Sequence, residues 1–276
     1  KQFAETVYDL VRWWRKYLWL SGLDWPSNDR PPLMTTEQVW NVFSTYADAH
    51  RLGVPGAPKM FPRLGIEKQA RAVKQSLPEW LDQWANKEVV NWDQIAAVLN
   101  EPAPVFLRVN TLKITAKELL TRLQASNIQA KIVKDETLIL EERPNLFNSD
   151  EFKQGYFEMQ DMHSQLIAPF LQVAPGQRVI DACAGAGGKT LHLASLMKNK
   201  GKIIAMDVVG TKLEELRKRA SRNGCQLIET KVIESTKIIK RLDKSADRLL
   251  LDVPCSGLGV LRRNPDAKWR LSPDRI

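Results

Sequence analysis

With 276 residues, 43% of them hydrophobic, and a net charge of +9, the chain can bury cores in two or more domains, and its basic balance points to a polyanionic partner such as nucleic acid. Three cysteines without C-x-x-C spacing and three scattered histidines (His50, His163, His192) argue against a disulfide framework and a metal site. Residues 11–20 are too short and too charged for a membrane span and no signal peptide is visible, so the expected compartment is the reducing cytoplasm.

In chain order, residues 1–100 read as helices. Phe3, Val7, Leu10, Val11, Trp14 and Leu18 keep helical spacing. A second helix opens at Thr35 or Thr36, with Gln38 completing a capping box, and closes at Gly53. A third begins near Ser76–Glu79, where Pro78 suits the first turn. Eight of the nine tryptophans lie in this part, and a helical core explains them better than base stacking does. Residues 103–152 read as strand, helix, strand, strand. Thr115 and Glu118 form a capping box, residues 128–133 and 138–140 are strand-like, and 141–153 reads as a linker. From Gly155 onward strand and helix alternate, as a parallel α/β sheet requires.

Within that last part, Val179–Thr190 is an apolar run, then a loop of Gly and Ala, then a helix-compatible run. Gly185, Gly187 and Gly188 let backbone amides approach a polar ligand from a helix N-terminus. A dinucleotide G-x-G-x-x-G is not met, since the glycines run G-x-G-G. A P-loop comes nearer through Gly188-Lys189-Thr190, but its first glycine falls on Cys183. The remaining reading, a loop for S-adenosylmethionine (SAM), needs only close backbone approach and a later acid for the ribose. Asp207, closing the strand-like Ile203–Met206, is placed for that.

A second strand-like run, Arg248–Leu251, ends in Asp252-Val253-Pro254-Cys255. Ligands of open α/β sheets bind at such strand ends. A buried thiol in a turn would also explain Cys255, and Asp252 alone would suit an ATPase strand. The Pro-Cys pair favours methyl transfer.

DACAGAGGKT, MDVVGTKLEELRKRA and LLLDVPCSGLGVLRRNPDAKW together resemble motifs I, II and IV of the RsmB/Nop2/Sun family of RNA cytosine-C5 methyltransferases, and FLRVN and FEMQD resemble its upstream segments. The resemblance implies a Rossmann-like SAM-dependent methyltransferase domain over 155–276, a ferredoxin-like RNA-binding subdomain over 103–152 and a NusB-like helical RNA-binding region over 1–100. It implies an enzyme that takes a methyl group from SAM to C5 of a cytosine in RNA, with ribosomal RNA the expected partner. Asp181 then shapes the loop; Cys183, Ala184, Gly185, Ala186, Gly187, Gly188 and Lys189 line the methionine end; Asp207 takes the ribose, and Glu234 the adenine side. Asp252 is expected between cofactor and target base, and Arg262, Arg263 and Lys268 at the RNA. In this family a thiolate adds to C6 so that C5 can take the methyl group. That thiol belongs to a later Thr-Cys-Ser motif, which leaves Cys255 the task of releasing product.

The sequence departs from the family pattern in lacking that later motif among Cys183, Cys225 and Cys255. It also starts at Lys1 within a helix, stops at Ile276 and leaves its last strand at a bare edge, so the expectation is a fragment that does not methylate RNA by itself. His163, where the family usually has Ser, reads as a solvated or capping residue before an RNA contact, and the charges of residues 212–222 read as a solvated helix face. The rival readings are a P-loop NTPase using Lys189 and Thr190, and a noncatalytic RNA-binding protein. An adenine N6-methyltransferase would show a Pro-Pro-aromatic turn where Val253-Pro254-Cys255 stands.

Overall fold

The structure is a computed structural model that describes residues 2–275 apart from 27, 58 and 61. Lys1 and Ile276, on which the expectation of a truncated chain drew, lie outside the described residues. Two units divide the chain: residues 1–103 with 255–276, and residues 104–254.

The first unit is helical. The expected single helix over 3–18 is two, α1 (Gln2–Arg12) and α2 (Trp14–Leu20), separated at Trp13 (φ −104°). The split lets Tyr17 and Leu18 of α2 pack on Val42 and Tyr46 of α3 (Thr36–Ala49). The capping box of α3 is present: the Gln38 amide donates to Thr35 Oγ1 at 3.2 Å, and the Thr35 amide to Gln38 Oε1 at 2.9 Å. This helix stops before the expected Gly53, since Arg51 turns left-handed (φ 54°) and the Leu52 amide closes back on the Ala47 carbonyl. Next come α4 (Arg71–Lys74), α5 (Glu79–Glu88), with Pro78 at the N-cap position just before its first turn, and α6 (Trp92–Leu99). Trp92 is a core residue whose Nε1 donates to Asp82 Oδ1 at 2.7 Å, whereas Trp40 and Trp84 keep much of their surface exposed.

The second unit holds two sheets. In the first, β1 (Val105–Val109), β2 (Ala130–Lys134), β3 (Thr137–Leu140) and β4 (Phe157–Met159) pair antiparallel in the order β2-β3-β1-β4. The helix α7 (Ala116–Ala125) starts at the Thr115–Glu118 capping box and buries Leu119 and Leu123. Residues 141–153 are not a linker. Leu146 is fully buried there, the short helix α8 (Asp150–Lys153) forms, and Phe152 packs on Phe147 and Phe157. The ferredoxin-like sheet therefore extends past residue 152 to take in β4.

After the short helices α9 (Met162–Gln165) and α10 (Ile167–Phe170), the second sheet is parallel throughout, in the order β7-β6-β5-β8. Its strands are β5 (Arg178–Asp181), β6 (Lys202–Asp207), β7 (Ile228–Val232) and β8 (Arg248–Leu250). The helices α11 (Gly188–Leu196) and α12 (Gly210–Asn223) pack on one face through Leu191, Leu193, Leu213 and Leu216. The other face carries the short α13 (Thr236–Lys240), with Ile238 against Ile180, Ile204 and Met206. As expected, β8 lies at an edge of this sheet, and its Leu249 is half exposed. Among the described residues, no helix is long and apolar enough to cross a membrane.

Candidate functional site

The loop joining β5 to α11 crosses the carboxyl ends of three parallel strands. The Ala182 amide donates to the Leu250 carbonyl at 3.0 Å and the Ala184 amide to the Met206 carbonyl at 2.8 Å, which stitches the loop to β8 and β6. Gly187 is required twice over. Its φ of +90° suits glycine, and a Cβ there would meet Leu216 Cγ at 2.6 Å, so the loop can lie flat on α12 only without a side chain.

Asp207 ends β6 and is 8% exposed. Its Oδ2 accepts the Gly185 amide at 2.9 Å and its Oδ1 the Val209 amide at 2.8 Å. A carboxylate has about four lone-pair sites, so two remain for a ligand's hydroxyl groups. The sequence reading assigns Asp207 to a ligand alone, and the structure adds that it also shapes the loop.

Asp181, at the end of β5, is buried, and burial pushes its carboxyl up to about 6, against the stabilising hydrogen bond from Thr190. Thr190 Oγ1 donates to Asp181 Oδ2 at 2.7 Å in a fully buried pair. Lys189 Nζ pairs with Asp252 Oδ2, so the acid after β8 faces a counter-ion from the first turn of α11. Cys183 sits among these acids: partial burial raises its thiol first, and Asp181, Asp207 and Asp252 raise it further, which keeps it protonated and poorly nucleophilic.

Asp181, residues 183–189, Asp207 and Asp252 thus share one end of the parallel sheet. Glu234 lies just beyond β7, exposed, on a 370 Å³ concavity with Lys231, Val232, Ile238, Arg241 and Leu242. His163 is solvated as expected, with Nδ1 3.4 Å from Asp161 Oδ1.

Residues 255–276 belong to the helical unit. Cys255 is exposed there. Lys268, in α14 (Ala267–Arg270), corrects the expectation of an RNA contact. It is 1% exposed, and its ammonium donates to the Arg12 carbonyl at 2.6 Å and to Asn100 Oδ1 at 3.1 Å, joining α1, α6 and α14. Arg262 is half-buried and donates to the Glu101 and Pro102 carbonyls, while Arg263 is exposed.

Sequence reading missed a buried network behind the loop. Glu158 on β4 takes Arg219 Nη2 at 2.8 Å, Arg222 Nη2 at 2.5 Å and Asn223 Nδ2 at 2.5 Å. Burial tends to raise its carboxyl, and the two guanidinium groups with Asn223 outweigh that and hold it below the usual range. Arg108 on β1, also buried, is pushed down to about 10 by desolvation. The motifs FLRVN, FEMQD and LRKRA carry Arg108, Glu158 and Arg219, with Arg222 and Asn223 just beyond, but only the fold shows that they meet.

A parallel sheet with a glycine loop after its first strand and an acid closing the next defines the class: a Rossmann-like, SAM-dependent methyltransferase domain, here preceded by a ferredoxin-like subdomain. The family model "16S rRNA methyltransferase RsmB/F" matches residues 168–276, and the model "Methyltr_RsmF/B-like, ferredoxin-like domain" matches residues 77–146. The chain is 34% identical over 230 residues to a probable ribosomal RNA small subunit methyltransferase B of Bacillus subtilis, covering 81% of this chain and 50% of that protein. It is 37% identical over 134 residues to mouse tRNA (cytosine(72)-C(5))-methyltransferase NSUN6, covering 44% of this chain and 28% of that one. The crystal structure of PH0851 shares the fold, with a TM-score of 0.75 and 24% identity, over 99% of this chain and 70% of that one. The chain belongs to the RsmB/Nop2/Sun family, whose members use SAM. It spans about half the length of the Bacillus subtilis relative.

Proposed function

We propose that this chain binds SAM on the loop between β5 and α11 and is part of a cytoplasmic enzyme that methylates C5 of a cytosine in ribosomal RNA. The observation that carries the reading is the convergence of the Gly185 amide on the Asp207 carboxylate at the carboxyl ends of β5 and β6, with both oxygens of Asp207 retaining acceptor capacity.

SAM, when bound, supplies an electrophilic methyl group. Asp207 takes ribose hydroxyls, Glu234 lies on the adenine side, and Cys183, Ala184, Gly185, Ala186, Gly187, Gly188 and Lys189 line the methionine end. Asp252, paired with the Lys189 ammonium, can accept a hydrogen bond from the amino group of a cytosine. Arg263 offers an exposed cation to RNA phosphates. Cys255 assists product release. The attacking thiol is assigned to none of the three cysteines in this sequence, so residues 1–276 alone bind donor and RNA without turnover. The activities for which the Bacillus subtilis and mouse relatives are named support ribosomal RNA as the substrate class and C5 as the atom, respectively.

The NTPase reading loses ground on one observation. Thr190, which a P-loop would direct at magnesium, is fully buried with its hydroxyl committed to Asp181. Bisulfite sequencing of RNA from source cells with and without the gene tests the activity. Loss of a 5-methylcytosine from ribosomal RNA is expected; loss confined to transfer RNA would overturn the substrate class, and an unchanged methylation pattern would overturn the reaction.

A further inference from the structure

Two guanidinium groups connect the antiparallel sheet to the ligand loop. Arg219, on α12, donates through Nη1 to the Ala186 carbonyl at 2.7 Å and through Nη2 to Glu158 Oε2 at 2.8 Å. Arg108, on β1, donates through Nη1 to the Gly188 carbonyl at 2.6 Å and also to Gln160 Oε1. Glu158 lies on β4, an edge strand of the sheet, and Gln160 directly follows that strand.

The two gripped carbonyls flank Gly187, the residue that turns the loop into α11. A peptide unit is planar, so fixing a carbonyl also fixes the amide that follows it. Arg219 thereby sets the Ala186–Gly187 plane, whose amide closes the turn on the Ala184 carbonyl at 2.9 Å. Arg108 sets the Gly188–Lys189 plane, whose amide belongs to the first turn of α11, where helix N–H groups have no intrahelical partner. The turn that leads into β4 also approaches α12 so closely that a Cβ on Gly155 would lie 2.2 Å from the Arg222 carbonyl oxygen. Removing one partner of such a buried charge leaves the other uncompensated, so the network is costly to break.

We propose that Glu158 and Gln160, acting through Arg219 and Arg108, are positioning residues for the cofactor loop, so that the ferredoxin-like sheet sets SAM affinity without touching SAM. The inference rests on the SAM reading for its ligand and on the geometry above for the coupling. An RNA that moved β4 would, by the same connection, change the affinity for the methyl donor.

The test uses the 276-residue chain with Arg219→Met, Arg219→Lys, Glu158→Gln and, as a control at an exposed ion pair, Lys202→Met. SAM affinity is measured by calorimetry, and ligand-free hydrogen exchange of residues 183–190 is compared with exchange across the rest of the chain. Arg219→Met is expected to weaken SAM by about tenfold and to speed exchange selectively in 183–190, with partial recovery in Arg219→Lys and no change in Lys202→Met. Glu158→Gln, the milder change, should shift both readouts in the same direction. Unaltered SAM affinity in Arg219→Met and Glu158→Gln would overturn the proposal, as would faster exchange spread evenly over the chain. If the unaltered chain binds no SAM, the cofactor reading fails on its own, and the exchange of 183–190 still decides whether the arginines position the loop.

Discussion

The Gly185 amide donates to Asp207 Oδ2 at 2.9 Å, so the acid that closes β6 holds the loop that follows β5. Removing this carboxylate should do two things: deprive SAM of a charged acceptor and release the loop. Asp207→Ala is expected to weaken SAM binding by about 1.5–3 kcal/mol, the value of a hydrogen bond to a charged group. Asp207→Asn, which keeps an acceptor, should lose less. Calorimetric titration of both variants checks this, and equal affinity in Asp207→Ala and the unaltered chain would remove Asp207 from the site.

Thr190 and Asp181 supply a stability prediction. Thr190→Val preserves the shape of the side chain and leaves a buried carboxyl without its hydroxyl donor, at an expected cost of about 1–3 kcal/mol. Thr190→Ser should be close to neutral. Urea denaturation at pH 7 distinguishes the two, and a neutral Thr190→Val would mean that the pair contributes nothing.

His192 makes the fold acid-sensitive. Burial, and then the charge of Arg108, push its imidazole down to about 3, against 6.5 for an unfolded histidine. Between these values the unfolded chain binds the extra proton and the folded chain does not, so stability falls as the pH drops below 6.5 and continues to fall towards 3. Asp181 runs the other way: its raised carboxyl, about 6 against 3.8, favours the folded state progressively as the pH falls through that window. The difference between the unaltered chain and His192→Gln isolates the imidazole. The variant's melting temperature should fall less between pH 7 and pH 4.5. Parallel curves would show that His192 is not neutral in the folded chain.

Lys268 and Arg263 lie close in sequence and should behave differently. Lys268→Ala removes two buried hydrogen bonds and a packed stem, so a loss of about 2–4 kcal/mol is expected in denaturation. Arg263→Ala should weaken RNA binding, with a smaller salt dependence. Filter binding across a salt series, set beside denaturation curves, tests both. Unaltered RNA binding in Arg263→Ala, or a fully stable Lys268→Ala, would reverse these assignments.

What the sequence made legible follows from how local each signal is. The capping boxes at Thr35 and Thr115 and the β5 loop are written in consecutive residues, and each stands where its pattern places it. The break at Trp13 was not legible, because it comes from the packing of α2 on α3 and not from a Gly or Pro. Pro144, Asn145, Asn148 and Ser149 suggest a linker, yet Leu146 and Phe152 fold that segment against the sheet that β4 completes. Lys268 reads as a surface cation because neither Arg12 nor Asn100 is near it in sequence. Among the charges of α12, the solvated reading misses Arg219 and Arg222, whose partner Glu158 lies some sixty residues away.

Binding of SAM by the loop after β5 is decided by calorimetric titration of the 276-residue chain with SAM and, separately, with ATP and magnesium. One site with a Kd on the order of micromolar for SAM and no heat from ATP is expected. Binding of ATP with no binding of SAM would contradict it and restore the NTPase reading.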